Sequence, residues 1–246
     1  MSMSQKNQEM AQRYLRRKTD RNINLLAALH DGIAEVVAAE EKGCLLCTGR
    51  GTWQIAAEDE ETALRFYEQV PADTTMLEVQ DISQIDVLAA RFQPRCVERY
   101  YNAWYAQPSV ELEDNGAEVR CLTAEDAEPL ARYYHLPGPS AGDLKETADY
   151  LCARAETGTL YGAYFDGRLA GFVGTHDEGS IGILTVLPEF RRRGLGTYLE
   201  RLAIQKALER GDLPFGQIAA GNEASLALQR SLGMTIAEEL VCWMDK

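Results

Sequence analysis

The run from Ile181 to Gly211 constrains the fold more than any other stretch, because a strand pattern ends there and a helix pattern begins across a turn rich in arginine and glycine. Ile181-Gly182-Ile183-Leu184-Thr185-Val186 is short, apolar and β-branched, as a buried strand should be, and Pro188 ends it. From Gly194 the apolar residues Leu195, Leu199, Leu202, Ala203 and Leu208 fall near helical spacing, with Gly211 and Pro214 as the stop. Between the two lies Arg191-Arg192-Arg193-Gly194-Leu195-Gly196. The first N–H groups of a helix have no intrahelical acceptor and carry the positive end of its dipole, so they are ready donors to phosphate oxygens. Gly194 and Gly196 let a ligand approach the backbone, and the arginines add charge and forked donors. Two common phosphate loops are excluded: no Gly-Lys-Ser/Thr ending follows, and Leu199 stands where a dinucleotide-binding loop needs its third glycine.

Arg191-x-x-Gly194-x-Gly196 resembles the pyrophosphate loop of the GNAT superfamily of acyl-CoA-dependent N-acyltransferases. A second segment, Asn222-Glu223-Ala224-Ser225-Leu226-Ala227-Leu228 closing with Leu232-Gly233-Met234, is similar to the element with which that family lines the other side of the coenzyme. The spacing is closest to the branch that includes glycine N-acyltransferase-like proteins, and the resemblance covers roughly the second half of the chain. It implies acetyl-CoA as co-substrate and no metal. The coenzyme contacts it implies are Val186, Arg191, Arg192, Arg193, Gly194, Leu195, Gly196 and Thr197 on the first element and Asn222, Ser225 and Gln229 on the second. The fold it implies is α/β (α+β), a mixed, mostly antiparallel sheet flanked by helices.

Composition agrees with a globular chain: 246 residues, 46% hydrophobic and 26% charged. The formal net charge is −13, spread as −7 over residues 1–116 and −6 over 117–246, which argues against a nucleic-acid or anionic-membrane surface and favours a cationic or amine partner. No apolar run approaches the roughly 18 residues of a membrane span, and the opening residues lack the apolar core of a secretory signal, so a cytoplasmic location is expected. Six cysteines are then expected as thiols; Cys44-Leu45-Leu46-Cys47 has metal-like spacing, but no second pair or nearby histidine completes a site.

Along the chain, residues 19–42 read as one helix capped by Thr19 or Asp20 and stopped at Gly43. A hairpin follows around Gly49-Arg50-Gly51, then a helix over 58–69 with an acidic first turn, a strand at 76–79, a helix at 83–91, and an aromatic strand or buried edge around Tyr100–Tyr105. Turn chemistry from Gln107 to Gly116 sets the expected domain boundary, giving 1–115 as a smaller α/β domain, degenerate GNAT-like or family-specific, and 116–246 as the catalytic domain. In the second domain a strand from Glu118, two helices, a hairpin around Asp166-Gly167 and the strand at 181–186 lead into the arginine turn, followed by helix, strand, helix and a final strand near 236–244.

Acyl transfer to an amine needs the amine unprotonated, which for a pKa of about 10.4 costs roughly 4–5 kcal/mol at pH 7. Many members of the resembling family place a carboxylate late in the first strand, where this chain has Thr185, and a tyrosine on the second element, where it has Gln229; neither can take or give a proton near neutral pH. Glu178 and His176, at the entry to the strand, are the substitute bases, against the alternative of an exposed, solvated turn. His135 beside Pro137-Gly138-Pro139 is a candidate for the amine pocket, and His30 has no assigned role. The reading is therefore an N-acyltransferase moving an acetyl or short acyl group to a small-molecule primary amine by direct transfer in a ternary complex. The rival is a non-catalytic acyl-CoA sensor. A carboxy-terminal strand of the kind that supports dimers in this fold leaves a homodimer open.

Overall fold

A computed structural model describes residues 3–49, 51–134 and 142–246. In chain order the elements are α1 Met3–Leu15, α2 Ile23–His30, β1 Ala34–Glu40, β2 Gly43–Thr48, β3 Trp53–Ala57, α3 Glu60–Tyr67, β4 Met76–Val79, α4 Ile85–Phe92, β5 Cys96–Trp104, β6 Glu118–Cys121, α5 Ala124–Ala131, α6 Leu144–Glu156, β7 Tyr161–Phe165, β8 Arg168–Thr175, β9 Ile181–Val186, α7 Leu195–Arg210, β10 Phe215–Ala219, α8 Glu223–Ser231 and β11 Thr235–Asp245. They form two compact units, one of residues 1–104 with 215–246 and one of residues 105–214. The expected division at 115/116 is thus not the one the contacts follow. The physical reason is backbone pairing: β10 and β11 both hydrogen-bond to β5, which holds the carboxy-terminal residues to the amino-terminal unit.

The 105–214 unit carries the antiparallel order β9-β8-β7-β6. Asp166 at φ +49° and Gly167 at φ +74° make the tight β7–β8 hairpin, whose two left-handed residues match strand twist. Leu122, Leu130, Leu151, Leu160, Phe172 and Ile183 form the core beneath α5 and α6. α7 packs on β8 and β9. A Cβ at Gly171 would meet the Thr185 carbonyl and Leu199, so only glycine on β8 admits α7 at this distance.

In the other unit the strand order is β1-β2-β3-β4-β11-β5-β10, with β3 and β4 parallel and the other pairs, including the two to β11, antiparallel. The expected helix over 19–42 is corrected. α2 ends at His30, Asp31-Gly32 turns the chain with Gly32 at φ +71°, and Ala34–Glu40 is an edge strand with a bulge between Val36 and Ala38. Ile33 and Val37 are four residues apart, a spacing that fits either period until the turn is recognised. The helix α1 was not expected, and the aromatic run, expected as a strand or buried edge, is the interior strand β5. On one face of the sheet Leu45, Ile55, Leu77 and Val79 pack with Leu88 and Phe92 of α4; on the other Leu46 and Ala56 pack with Leu15 of α1 and Leu25 and Leu29 of α2.

A carboxylate lies buried within this unit. Glu78 Oε1 accepts from Asn24 Nδ2 and Gln217 Nε2, and its Oε2 accepts from Gln54 Nε2, each at 2.7 Å. Asn102 Nδ2 donates to Asn24 Oδ1 and its own Oδ1 accepts from Gln217, while Trp243 Nε1 donates to Gln217 Oε1. The network joins α2, β3, β4, β5, β10 and β11. Asp245, at the end of β11, is a second buried carboxylate; burial, then the charge of Glu98, raises its pKa to about 6. A raised carboxylate pKa means the folded state holds the proton more tightly, so this group's contribution is present below the ordinary carboxylate range and lost as pH climbs through about 6. Asp245→Asn is accordingly expected to stabilise the protein by about 2 kcal/mol at pH 7.5 and negligibly at pH 4, read from urea unfolding at the two pH values.

The two halves of the chain repeat one another. From α1 to β5 the order is two helices, three strands, helix, strand, helix, strand, and from α5 to β11 it is the same nine elements again, with β6 added in front. The last strand of each run is exchanged: β11 lies between β4 and β5, and β5 lies between β10 and β11.

Candidate functional site

β9 enters the arginine turn with an irregularity. Phe172 pairs with Thr185 and Gly174 with Gly182, so two residues of β9, Ile183 and Leu184, oppose one of β8. Ile183 takes φ +57°, a left-handed conformation that costs a β-branched residue on the order of 1–3 kcal/mol and that clusters at ligand-binding positions. Gly182 inside the apolar run is the one sequence signal for this bulge.

Beyond Val186 the chain makes a short turn over Pro188–Phe190, and Leu187 N–H returns to the Ala170 carbonyl at 2.9 Å. Arg192 at φ +61° and Gly194 at φ +77° then swing the backbone into α7, with Gly194 as its N-cap. No acidic residue occupies the first turn of α7 and no side chain caps it. The N–H groups of Leu195, Gly196 and Thr197 therefore point out of a helix end flanked by exposed Arg191, Arg192 and Arg193. Phe190 is buried, stacked on Phe165 at 5.9 Å, and Arg193 and Arg168 place their guanidinium carbons 5.8 and 5.7 Å from its ring. Gly196 sets its bare Cα against Val186, where a Cβ would sit 3.7 Å from Val186 Cγ2.

The corresponding corner of the first repeat shows the opposite chemistry. Glu58 and Asp59 stand between β3 and α3, and Glu60 and Glu61 in the first turn of α3; Asp59 caps α3 by accepting the Thr62 N–H at 2.8 Å and pairs with Lys42. The Lys42 ammonium and the Thr62 donors hold the Asp59 carboxyl well below the usual carboxylate range. A helix N-terminus already occupied by carboxylates repels phosphate.

The second resembling segment lies in the unit of residues 1–104 and 215–246. Asn222 caps α8 by accepting the Ser225 N–H at 3.1 Å, after Gly221 at φ +88° turns the chain out of β10. Gln229 is buried on α8 rather than open to solvent, and Gly233 at φ +78° closes the helix.

His176 and Glu178 do not form a solvated turn. His176 Nδ1 shares a 2.6 Å hydrogen bond with Tyr150 Oη, and its Nε2 packs onto Gly182, where a Cβ would collide with it. Burial lowers the His176 pKa, so its ring is neutral at pH 7, and burial keeps the Tyr150 phenol protonated. Arg154 anchors the group, donating from Nε to the Thr175 carbonyl at 2.9 Å and pairing with Asp177. Glu178 accepts from Ser180 Oγ. The Nδ1 of His176 is thus engaged by Tyr150, and its ring is packed over the bare Cα of Gly182. Thr185, half-buried, lies at the other end of β9, roughly 15 Å along the strand from Ser180. Tyr150 and Arg154 were not marked by the sequence, since an α6 face of Tyr150, Leu151 and Arg154 carries no motif. His135 and Pro137–Pro139 lie outside the described residues. His30 is exposed and pairs with Asp31.

Cys44 and Cys47 lie on β2 as free thiols, and burial pushes the Cys44 thiol far above its ordinary value. Among the described residues no group of three His, Cys, Asp or Glu could hold a metal ion, and no helix is long and apolar enough to cross a membrane.

Residues 119–234 match the Acetyltransferase (GNAT) family, a span just short of half the chain. No curated protein matches. Solved structures do: a Drosophila protein at 18% identity and TM-score 0.65, covering 99% of this chain and 96% of that one; a GCN5-related N-acetyltransferase from Kribbella flavida at 15% and 0.54, covering 92% and 95%; and a GCN5-related N-acetyltransferase-like protein from Streptococcus suis at 13% and 0.52, covering 96% and 100%. At these identities the likeness is one of fold, a GNAT-like α/β arrangement with a mixed sheet flanked by helices.

Proposed function

We propose that this protein is a GNAT N-acyltransferase that moves an acetyl or short acyl group from coenzyme A to the primary amine of a small molecule. The observation that carries the reading is the start of α7: outward N–H groups, a left-handed glycine cap, no carboxylate in the first turn and flanking arginines, inside the span that matches the family. The diphosphate of acetyl-CoA is the anion this end suits, with Leu195, Gly196 and Thr197 donating from the backbone and Arg192 and Arg193 adding charge. Asn222, Ser225 and Gln229 are proposed for the coenzyme's other contacts, and the Thr185–Val186 backbone for its acyl arm.

Transfer in a ternary complex needs the acceptor nitrogen neutral. Glu178 is proposed to take that proton, directly or through Ser180, while the Tyr150–His176 pair fixes the turn that carries it. The amine then attacks the thioester carbon, the C–S bond breaks, and the nitrogen's second proton passes to the departing thiolate, giving the amide and the free coenzyme thiol. The glycine N-acyltransferase-like branch is favoured by the Asn222–Met234 spacing, and a cytoplasmic location accords with the thiols.

The first repeat is proposed to have lost coenzyme binding, since carboxylates fill the helix end that would hold phosphate. One coenzyme per chain is therefore expected by titration calorimetry. The direct test mixes purified protein, acetyl-CoA and an amine panel and follows free thiol. Release that requires an amine supports transfer; binding with no release from any amine leaves the acyl-CoA sensor, for which Thr185 and Gln229 in place of an acid and base are the motive.

A further inference from the structure

The three arginines of the turn are not equivalent. Arg191 donates from Nε to the carbonyl of Val186 at 2.9 Å, bridging the end of β9 to the residue five positions on. Its own backbone is extended, and its N–H reaches back to the Pro188 carbonyl at 3.3 Å. Val186 is therefore held at its carbonyl by Arg191, on the residue that lies beside the start of α7. Arg192 has no ion-pair partner among the described residues, and Arg193 leans on the Phe190 ring.

We infer that Arg191 is a positioning residue, a latch that sets the β9–α7 corner through Val186, whereas Arg192 and Arg193 supply the charge that meets phosphate. The inference rests on the coenzyme reading above and divides labour within it. A guanidinium that spends Nε on a main-chain carbonyl five residues back fixes where the helix end points. That matters because donors held in place before binding lose less freedom when the ligand arrives. The latch needs an N–H donor of sufficient reach rather than a positive charge, so a glutamine amide can replace it. A phosphate ligand needs the charge, and its contribution weakens as salt screens it.

The test measures coenzyme A affinity by calorimetry from low to high salt for the unaltered protein and for Arg191→Gln, Arg191→Ala, Arg192→Gln and Arg193→Gln. Arg191→Gln is expected to stay within about twofold of the parent with an unchanged salt dependence, and Arg191→Ala to lose about tenfold, again with the parent's salt dependence. Arg192→Gln and Arg193→Gln are expected to lose about five- to tenfold each and to flatten the salt dependence. The inference is overturned if Arg191→Gln falls as far as Arg192→Gln and flattens the salt dependence equally, or if Arg191→Ala binds like the parent. Circular dichroism melts of each variant separate a misfolded protein from a weakened site. Should the unaltered protein fail to bind coenzyme A at all, the coenzyme reading itself fails, a different result from any of these.

Discussion

Reversing Arg192 and Arg193 to glutamate together is expected to weaken coenzyme A binding by at least about 100-fold, close to 3 kcal/mol, while the protein unfolds within roughly 1 kcal/mol of the parent. The asymmetry follows from where the side chains sit. Both are exposed, so their loss removes no core contact beyond the lean of Arg193 on Phe190. Around the helix end, however, the change turns two positive charges into two negative ones, re-creating at α7 the carboxylate-filled condition of α3, where Asp59, Glu60 and Glu61 already stand. Differential scanning fluorimetry with and without coenzyme A reads both quantities at once: the parent's melting point should rise with ligand and the variant's should not. A variant still stabilised by coenzyme A to the parent's degree would remove the helix end from the binding site.

Glu78→Ala is expected to destabilise the protein by about 3 kcal/mol or more, a fall in melting temperature of roughly 6–12 °C for a chain this long. Asn24 Nδ2 and Gln54 Nε2, both buried, would each be stranded by losing a 2.7 Å acceptor, while Gln217 Nε2 would keep only its 3.1 Å bond to Asn102 Oδ1. Each stranded donor costs about 1 kcal/mol at the least. Glu78→Gln keeps one acceptor oxygen and the side-chain volume but sets an amide N–H against another donor, so about half that loss is expected. Thermal unfolding that leaves Glu78→Ala unchanged would remove this carboxylate from what holds the strands in register.

Much of this was legible in the sequence where the signal is local. The bounds of β4 and β9 follow from short apolar runs between turn residues, and Asp166-Gly167 fixes a hairpin by its backbone preference alone. The start of α7 was legible because Pro188 ends the strand and Gly194 opens the helix, and Asn222 because its type favours a helix cap. What escaped depends on partners far along the chain. Residues 34–40 satisfy a helical period until their pairing with β2 is known. His176 is three residues from a glycine-rich turn by sequence, and only the packing of α6 brings Tyr150 and Arg154 to it. The pairing that ties β11 to β4 was not legible because more than half the chain separates them.

That exchange of last strands has a consequence for how the molecule is made. On the ribosome β4 and β5 emerge early, yet the strand that belongs between them, Thr235–Asp245, follows only after β6 to β10. Until it arrives, the nascent first repeat carries two facing strand edges with unpaired N–H and C=O groups, the surfaces on which chains most readily pair with the wrong neighbour. The sheet of the first repeat therefore stays open between β4 and β5 until Thr235–Asp245 has left the ribosome.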